Sequence, residues 1–206
     1  MSDDADPIRG LVSFADGDLV PCVVQDWLSG DVLTLAYMDE LALTRTRESG
    51  ELHLYSRSRE APWHKGETSG NVQRVRALRV DCDGDSVLAL VEPAGPACHT
   101  GERTCFYRGE LQAAPYAVLP ALERTIEERA DERPPDSYTV TLLDDGALAQ
   151  AKVREEAEEV ARAAREESDE RVDEEAADLL YHLLALLHSR GRSLADAELV
   201  LDGRRT

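Results

Sequence analysis

Hydrophobic residues in the first half of the chain recur in short runs that alternate with polar positions. Runs of this kind, bounded by Gly, Asp and Ser, are typical of β-strands. The predicted strands lie at residues 19–25, 32–37, 52–55, 72–80 and 87–91. One helix is predicted over residues 39–49, with Asp39 as its N-cap and Gly50 as its stop. We therefore expect this half to be an α+β domain, rich in strands and mostly antiparallel.

After Gly109 the hydrophobic spacing changes to the intervals of amphipathic helices. Predicted helices lie at residues 117–130, 147–167 and 172–189. They are separated by turn signals at Pro134-Pro135, Asp145-Gly146 and Ser168-Asp169. The change of pattern indicates two domains: an α+β domain over residues 1–110 and an all-α helical bundle over 117–206, joined by a linker at 111–116.

Composition and charge exclude several classes of protein. With 42% hydrophobic residues in a chain of 206, the sequence is typical of a globular protein rather than a disordered one. The formal net charge of −19 would repel phosphate backbones, so we expect no nucleic-acid partner. The longest strongly apolar stretch, residues 179–187, contains His182 and is too short to span a membrane.

The first residues and the cysteines predict the compartment. Residues 1–6 are acidic and lack the basic and apolar segments of a signal peptide, so we expect a cytoplasmic protein. In that reducing compartment the four cysteines are expected to be metal ligands or buried thiols rather than disulfides. Cys22 lies in an apolar run and is the candidate for a buried thiol.

Candidate metal ligands are concentrated in the twenty-five residues from 81 to 105. Cys82, Cys98 and Cys105 provide three soft thiolates, which select zinc and leave one of its four positions open for water. An open position is typical of catalytic zinc, which lowers the pKa of a bound water molecule. His99, next to one of these cysteines, is the expected proton carrier. A purely structural zinc site is the alternative.

Three aspartates are interleaved with the first of these cysteines. Asp81, Asp83 and Asp85 alternate with Cys82 and Gly84, so an extended chain would project the carboxylates to one side and the thiol to the other. Carboxylate oxygens are the hard ligands that magnesium prefers. The segment therefore offers sites for two kinds of metal side by side. An acidic turn that binds no metal is the alternative.

Two polar segments upstream are candidates for binding a phosphate or a ribose. Arg57 and Arg59 form either a phosphate clamp or an ordinary pair of edge-strand residues. His64 precedes a polar, glycine-flanked loop that suits the same ligands. The candidate residues of that loop are Lys65, Glu67, Thr68 and Ser69.

Together these motifs resemble phosphoribosyl-AMP cyclohydrolase of histidine biosynthesis. The resemblance covers about residues 15–110 and rests on four segments that occur in order, at residues 55–59, 63–71, 80–85 and 98–107. It implies that the first half opens the adenine ring of N1-phosphoribosyl-AMP between N1 and C6. Attack of an activated water at C6 of a purine is also the step that zinc deaminases use.

The same resemblance implies metal ligands and a partner. It places zinc on Cys82, Cys98 and Cys105, and magnesium on Asp81, Asp83 and Asp85. The family is homodimeric, and its zinc sites are thought to draw cysteines from both subunits. Where many members have a histidine after the Ser-Gly pair, this chain has Asn71, which shifts the expected proton transfer to His99 or His64.

The second half carries acidic residues at helical spacing, namely Glu155, Glu156, Glu159, Glu175 and Asp178. At about 100° per residue, Glu155 and Glu159 share one helix face, and Glu175 and Asp178 share another. If the two helices pair antiparallel about Ser168, the faces converge into a cluster that repels itself unless divalent cations occupy it. The alternative is a solvated, Glu-rich surface.

The sequence around these residues resembles phosphoribosyl-ATP pyrophosphohydrolase, an all-α family, over about residues 118–205. The motifs are Lys152-x-x-Glu155-Glu156-x-x-Glu159 and Glu175-x-x-Asp178, with residues 137–139 upstream. The resemblance implies magnesium on the five acidic residues, attack of water between the α and β phosphates, and release of pyrophosphate. It also implies that one glutamate, here Glu156, orients or deprotonates the water, and that Lys152 contacts phosphate.

The two resemblances together predict a bifunctional enzyme of histidine biosynthesis that uses Zn²⁺ and Mg²⁺. The second half would convert phosphoribosyl-ATP to phosphoribosyl-AMP, which is the substrate of the first half. Two alternatives stay open at this point. One is a cyclohydrolase joined to a broader nucleotide-triphosphate pyrophosphohydrolase. The other is a non-enzymatic, zinc-stabilised binding module with a helical dimerisation tail.

Overall fold

The computed structural model describes residue 8 and residues 10–14, 19–110 and 114–205. The acidic residues 1–6 and part of the predicted linker, residues 111–113, lie outside the described residues. The chain divides into two compact units, Met1–Ala113 and Ala114–Thr206. The first is rich in strands and the second is helical, which confirms the fold classes that the two hydrophobic patterns predict.

Among the described residues of the first unit, six strands form one sheet. They are β1 (Val20–Asp26), β2 (Val32–Met38), β3 (His53–Ser56), β4 (Ala61–His64), β5 (Gln73–Val80) and β6 (Val87–Pro93). The order in the sheet is β4-β3-β2-β1-β6-β5, and neighbours are antiparallel except β1 and β6, which are parallel. The hydrophobic pattern did not predict β4, whose four residues include a proline and a histidine.

The sheet curls until its β5 edge meets the chain that leads into β3. Glu51 forms an antiparallel bridge with Arg74. The backbone N–H of Leu52 donates to the carbonyl of Gln73 at 2.9 Å, on the same edge. These contacts make the sheet a half-barrel, with buried apolar residues of β1, β2, β3 and β6 in its core, among them Val24, Leu33, Leu54 and Val91. The curved sheet thereby encloses one apolar core.

The helix of the first unit, α1 (Glu40–Ser49), begins and ends where the sequence predicts. The side chain of Asp39 accepts a hydrogen bond from the Ala42 N–H, which satisfies one of the free donors of the first turn. Gly50 ends the helix with φ of 72°, in the left-handed region that favours glycine. The α1 residues Ala42 and Thr46 are buried against the sheet.

The second unit contains five helices among the described residues. They are α2 (Pro115–Glu132), α3 (Tyr138–Asp144), α4 (Gly146–Glu166), α5 (Asp169–Ser189) and α6 (Leu194–Asp202). Asp145 caps α4 and Ser168 caps α5, each with a side-chain oxygen that accepts a backbone N–H. Because only two residues separate α4 from α5, these long helices form an antiparallel hairpin. Helix α2 begins at Pro115, within the segment predicted as a linker.

A small core fixes α3 against the α4–α5 hairpin. Leu142 of α3, Ala149 of α4 and Ala185 of α5 are buried together, with Leu148 and Tyr181 packed against them. No described helix is long and apolar enough to cross a membrane.

Candidate active sites

The loop that follows β6 brings two of the three predicted zinc ligands together. The N–H of Ala97 donates to the Arg103 carbonyl at 3.1 Å, and the N–H of Cys98 donates to the Glu102 carbonyl at 3.0 Å. These bonds fold residues 97–103 back on themselves. The N–H of Cys105 then donates to the Leu33 carbonyl of β2 at 2.8 Å. We refer to residues 97–105 as the cysteine loop.

Groups around Cys98 favour its thiolate. The Thr100 hydroxyl donates to Cys98 Sγ at 3.1 Å, and His99 Nδ1 lies 3.9 Å from the same sulfur. The pKa of the Cys98 thiol is lowered, first by the side chain and backbone of Thr100 and also by Cys105 and the backbone of His99. By contrast, burial raises the pKa of Cys22 to about 12. A thiolate is the form that binds zinc, so Cys98 suits this role and Cys22 does not.

Lys65 lies beside the cysteine loop. Its side chain is buried, and Nζ donates to the Ala97 carbonyl at 2.7 Å. Burial lowers the pKa of Lys65, while the negative charges of Cys105 and Cys98 oppose that shift. The ammonium group therefore faces the backbone just before Cys98 and supplies positive charge to the two thiols, rather than extending into solvent.

Cys82 and the three aspartates form a separate, exposed turn after β5. Oxygen atoms of Asp81, Asp83 and Asp85 lie within 4.8 Å of one another. Within the described part of the chain, no group of three possible metal ligands at this spacing includes a cysteine. Cys82 is exposed and does not join Cys98 and Cys105 in such a group within one copy of the chain.

Hydrogen bonds hold the acidic turn in a shape that suits a hard cation. Asp81 Oδ1 accepts from the N–H groups of Asp85 and Ser86, and Oδ2 accepts from the Ser86 hydroxyl at 2.6 Å. These bonds, with that of the Ser86 hydroxyl largest, lower the pKa of Asp81 to about 2. A side-chain hydrogen bond with Asp81 raises the pKa of Asp85, and the charges of Asp83 and Asp81 add to this shift. A divalent cation would relieve the repulsion between these charges.

Glycine is required in the middle of that turn. Gly84 has φ of 81°, and a Cβ built on it would lie 2.4 Å from the Leu11 carbonyl oxygen. The N–H of Ser13 also donates to the Gly84 carbonyl at 2.7 Å. Residues 11–13 therefore pack directly against the acidic turn, and only a residue without a side chain allows this approach.

The predicted phosphate residues surround a shallow aromatic pocket on β2, β3 and β4. The Arg57 guanidinium lies 3.8 Å from the ring centre of Tyr37. The pocket is lined by Leu35, Ala36, Tyr37, Tyr55, Ser56, Arg57, Ser58 and Trp63. Arg59 lies near the Trp63 ring, at 5.6 Å, and near Glu67, at 3.9 Å. Flat rings beside a guanidinium are the groups expected to bind a phosphorylated nucleoside.

The structure separates the two predicted proton carriers. His64 Nε2 lies 2.8 Å from Glu51, and its ring stacks on His53 at 4.4 Å. These contacts hold the His64 side chain at the edge of the sheet formed by β3 and β4. His99 lies on the exposed side of the cysteine loop, next to Cys98. Thr68 and Ser69 are exposed in the turn that follows His64.

In the helical unit, three carboxylates converge between α4 and α5. Oxygen atoms of Glu156, Glu175 and Asp178 lie within 4.8 Å of one another. Glu156 and Glu175 are only 5% and 4% exposed. Burial raises the pKa of Glu175, and the nearby charges of Glu159, Glu156 and Asp178 add to this effect against the opposing Arg171. Buried carboxylates at this spacing are costly unless a cation shares them.

The neighbouring acidic residues differ in their position relative to this cluster. Glu159 acts on the pKa of Glu175 and pairs with Arg162 at 3.5 Å. Glu155 is exposed and pairs with Lys152 at 3.0 Å. Since adjacent residues on a helix point about 100° apart, the rotation that turns Glu156 inward turns Glu155 toward solvent.

Tyr138 lies in the upstream motif at residues 137–139, but the sequence assigned it no role in this site. The Tyr138 hydroxyl lies 3.1 Å from His182 Nε2, while His182 Nδ1 lies 2.8 Å from the Asp178 carbonyl and 3.6 Å from Glu156 Oε1. A buried histidine thus connects α3 to both acidic helices. The interruption of an apolar helix face by His182 was a signal in the sequence, whereas the motif at residues 137–139 did not predict the contact of Tyr138 with it.

Comparison with known proteins matches one family to each half of the chain. The family model for phosphoribosyl-AMP cyclohydrolase matches residues 34–107, and the model for phosphoribosyl-ATP pyrophosphohydrolase matches residues 119–204. The histidine biosynthesis bifunctional protein HisIE of Bacillus subtilis (strain 168) is 48% identical over 204 residues, covering 97% of this chain and 96% of the relative.

Relatives from other bacteria carry the same description. HisIE of Gloeobacter violaceus is 46% identical, covering 96% of this chain and 92% of the relative. HisIE of Halalkalibacterium halodurans is 43% identical, covering 94% and 95%. These matches favour the bifunctional enzyme over both alternatives considered from the sequence. The chain therefore belongs to the family of bifunctional histidine-biosynthesis proteins that unite a phosphoribosyl-AMP cyclohydrolase with a phosphoribosyl-ATP pyrophosphohydrolase.

Proposed function

We propose that the chain catalyses two consecutive hydrolyses with one metal-binding region in each half. Residues 117–206 hydrolyse phosphoribosyl-ATP to phosphoribosyl-AMP and pyrophosphate. Residues 1–110 then open the adenine ring between N1 and C6, and residues 111–116 join the two. The observation that carries the proposal is the pair of ligand sets, thiols in one unit and carboxylates in the other, each within the span of a matching family. A cytoplasmic location would keep the thiols reduced.

In the first unit, Cys98 and Cys105 hold zinc together with Cys82. The hydrogen bonds that favour the Cys98 thiolate support this assignment, because zinc binds thiolates. Zinc with an open position would supply an activated water at neutral pH. His99 adjoins Cys98 and is exposed, so it is the better placed histidine to carry the proton to the purine. His64 is held by Glu51 and supports the binding of substrate instead.

A homodimer completes this zinc site. Within one copy Cys82 does not join Cys98 and Cys105, so we assign it to the site of a second copy. Large apolar side chains near the cysteine loop support a contact between copies: Phe106 is 57% exposed, Leu35 49% and Val32 40%. Burying such residues stabilises an association between subunits.

Other residues of the first unit bind substrate and a second metal. Asp81, Asp83 and Asp85 hold magnesium near the ribose phosphates, and the converging, repelling oxygens support this role. Arg57 lies at the aromatic pocket and receives a phosphate or stacks on the base. Two exposed turns contribute further polar contacts, from Arg59 between β3 and β4 and from Glu67, Thr68 and Ser69 after β4.

In the second unit, Glu156, Glu159, Glu175 and Asp178 hold magnesium. When bound, magnesium would neutralise the phosphates of the substrate and the leaving pyrophosphate. Glu156 is buried in the cluster and orients the attacking water. Glu155 lies outside the cluster and Lys152 lies at its margin, within 3.6 Å of Glu156, where an ammonium group favours phosphate.

Separate additions of metal to the full chain test the proposal. The protein is stripped with a chelator and incubated with phosphoribosyl-ATP, and pyrophosphate and the ring-opened product are measured. With magnesium alone we expect pyrophosphate and phosphoribosyl-AMP. With magnesium and zinc we expect the ring-opened product as well. Release of pyrophosphate without ring opening in the presence of both metals would contradict the ring-opening activity assigned to the first unit. Absence of pyrophosphate under either condition would contradict the hydrolysis of phosphoribosyl-ATP assigned to the second unit.

A further inference from the structure

An arginine in the middle of the cysteine loop connects that loop to the turn between β1 and β2. Arg103 Nη2 donates to Asp26 Oδ2 at 2.6 Å and to Ser29 Oγ at 3.0 Å. Arg103 Nε donates to Asp31 Oδ2 at 3.1 Å. We refer to Arg103, Asp26, Ser29 and Asp31 as the Arg103 cluster. Its contacts join residues more than seventy positions apart in the sequence.

Hydrogen bonds within the β1–β2 turn orient the groups that accept from the Arg103 guanidinium. Asp26 Oδ1 accepts from the N–H groups of Leu28 and Ser29, which leaves Oδ2 to face Arg103. The Ser29 hydroxyl donates to Asp31 Oδ2 at 3.0 Å. Asp26 is only 5% exposed. An ion pair with a buried, hydrogen-bonded carboxylate differs from an exposed one, because its geometry is fixed and it is screened little by water.

Arg103 lies between the two thiols of the cysteine loop in sequence and is bonded to both sides of it. Its carbonyl accepts from the N–H of Ala97, the residue before Cys98. On the other side, Thr104 Oγ1 donates to the Val32 carbonyl at 2.7 Å, and the N–H of Cys105 donates to Leu33. Arg103 therefore lies between the bond that closes the loop at Ala97 and the bonds that hold residues 104 and 105 on β2.

We propose that Arg103 is a positioning residue for the metal-binding thiols of the ring-opening site. Through Asp26, Ser29 and Asp31 it fixes the separation and direction of Cys98 and Cys105 before metal binds. It touches neither the substrate nor the metal. The inference rests on the proposed function, since it assumes that these thiols bind zinc. Residues that orient the ligands of a metal contribute on the order of 10–100-fold in metal affinity or activity.

Variants of the full chain separate this role from a contribution to folding. Arg103→Met removes the guanidinium but leaves the Asp26 carboxylate buried without its partner, which by itself destabilises the fold. The double variant Asp26→Asn, Arg103→Met removes that charge and keeps an oxygen for the N–H groups of Leu28 and Ser29. Arg76→Met is the matched control, because Arg76 forms an ion pair with Glu92 across β5 and β6, away from the cysteine loop.

Two measurements are made on each variant. Zinc affinity is measured by competition with a chromophoric chelator, and cobalt substitution reports thiolate coordination by its charge-transfer absorption. For Arg103→Met and the double variant we expect zinc affinity to fall by about 10-fold or more, with weaker cobalt–thiolate absorption. We expect Arg76→Met to bind as the unchanged chain does. Release of pyrophosphate from phosphoribosyl-ATP by the helical unit should be unaffected in all of them.

The other outcomes would overturn the inference. Zinc affinity and cobalt spectra equal to those of the unchanged chain in both Arg103 variants would show that the cluster does not position the thiols. Loss of the folded first unit in both variants, seen by circular dichroism, would make Arg103 a residue of folding instead. Absence of zinc binding in the unchanged chain is distinguishable from these results and would remove the zinc assignment together with the inference.

Discussion

The two candidate metal sites differ in the kind of structure that holds their ligands. Glu156, Glu175 and Asp178 project from two paired helices, and their oxygens converge within a single chain. Cys98 and Cys105 lie instead on a loop that is held by contacts with other segments, through Lys65 to Ala97 and through Arg103 to Asp26. Cys82 lies on a different turn.

This difference has a physical cause and a functional consequence. Helical periodicity fixes side chains relative to one another without further support, so a helix pair places hard ligands precisely but must bury repelling charges. A loop does not fix the positions of its side chains by itself, so its ligands need anchors and, in the proposed zinc site, a second copy of the chain. Metal binding at the helical site should therefore depend on helix register. Metal binding at the loop site should depend on residues that do not touch the metal.

The largest expected effect compares two cysteines. Cys98→Ser removes a thiolate ligand, so we expect loss of zinc and of ring opening, with pyrophosphate release retained. Cys22→Ser buries a hydroxyl in the core and is expected to cost about 1–3 kcal/mol of unfolding free energy without loss of zinc. Metal analysis of the purified proteins and the two product assays check this. Loss of both activities from Cys98→Ser would contradict separate sites.

The next comparison uses adjacent glutamates on α4. Glu156→Gln removes a buried carboxylate of the cluster, and we expect pyrophosphate release to fall by about 100-fold or more. Glu155→Gln changes an exposed residue, and its effect should be less than about 10-fold, as expected for a group that only adjoins the site. Initial rates at saturating magnesium distinguish them. Equal losses would show that Glu155 is a ligand, as the motif by itself implies.

A smaller effect is expected for Lys65. Lys65→Met leaves the Ala97 carbonyl without its donor and removes positive charge beside the thiols, which should cost about 1–3 kcal/mol of unfolding free energy. We expect zinc affinity to fall by about 10-fold, while KM for phosphoribosyl-AMP changes little in zinc-saturated protein. A raised KM with unchanged zinc affinity would instead support the role in substrate binding that the sequence suggested.

The smallest effect concerns pH and the helical site. Because burial raises the pKa of Glu175, the folded chain takes up a proton there at a higher pH than the unfolded chain does. That contribution stabilises the fold below the raised pKa and is lost as pH rises through it. In metal-free protein, lowering the pH from about 7 to about 5 should therefore favour the fold more than it does in Glu175→Gln. Urea unfolding of both proteins at the two pH values measures the difference, and identical responses would contradict it.

The sequence predicted the parts of the molecule that local periodicity determines. The strand runs, the caps of α1, and the turn at Ser168 between α4 and α5 all follow from patterns within about twenty residues. Spacing also placed the acidic residues on faces that converge if the two helices pair antiparallel. It did not determine the rotation of α4, which a single residue of register changes by about 100°. Only packing distinguishes Glu155 from Glu156.

The sequence could not predict contacts between distant segments. The bond from Lys65 to Ala97 spans 32 residues, and that from Arg103 to Asp26 spans 77. Lys65 lies in a polar loop motif, which favoured a substrate-binding residue, whereas in the structure it is buried and bonded to the Ala97 carbonyl. Arg103 lies within the motif at residues 98–107, but nothing in the sequence links it to Asp26, because an ion pair between two loops leaves no periodic signal.

The sharpest distinction in the proposal is that the helical site is complete in a single chain, whereas the zinc site is shared between two. Chains carrying Cys82→Ser and Cys98→Ser, each inactive in ring opening alone, can be co-expressed with different tags. In a symmetric dimer, a mixed pair contains one intact zinc site, so the unfractionated mixture should regain about a quarter of the unaltered activity. Ring opening of phosphoribosyl-AMP by the doubly purified mixed dimer is the direct measurement. Recovery of activity would establish the shared site, and no recovery in a confirmed mixed dimer would contradict it.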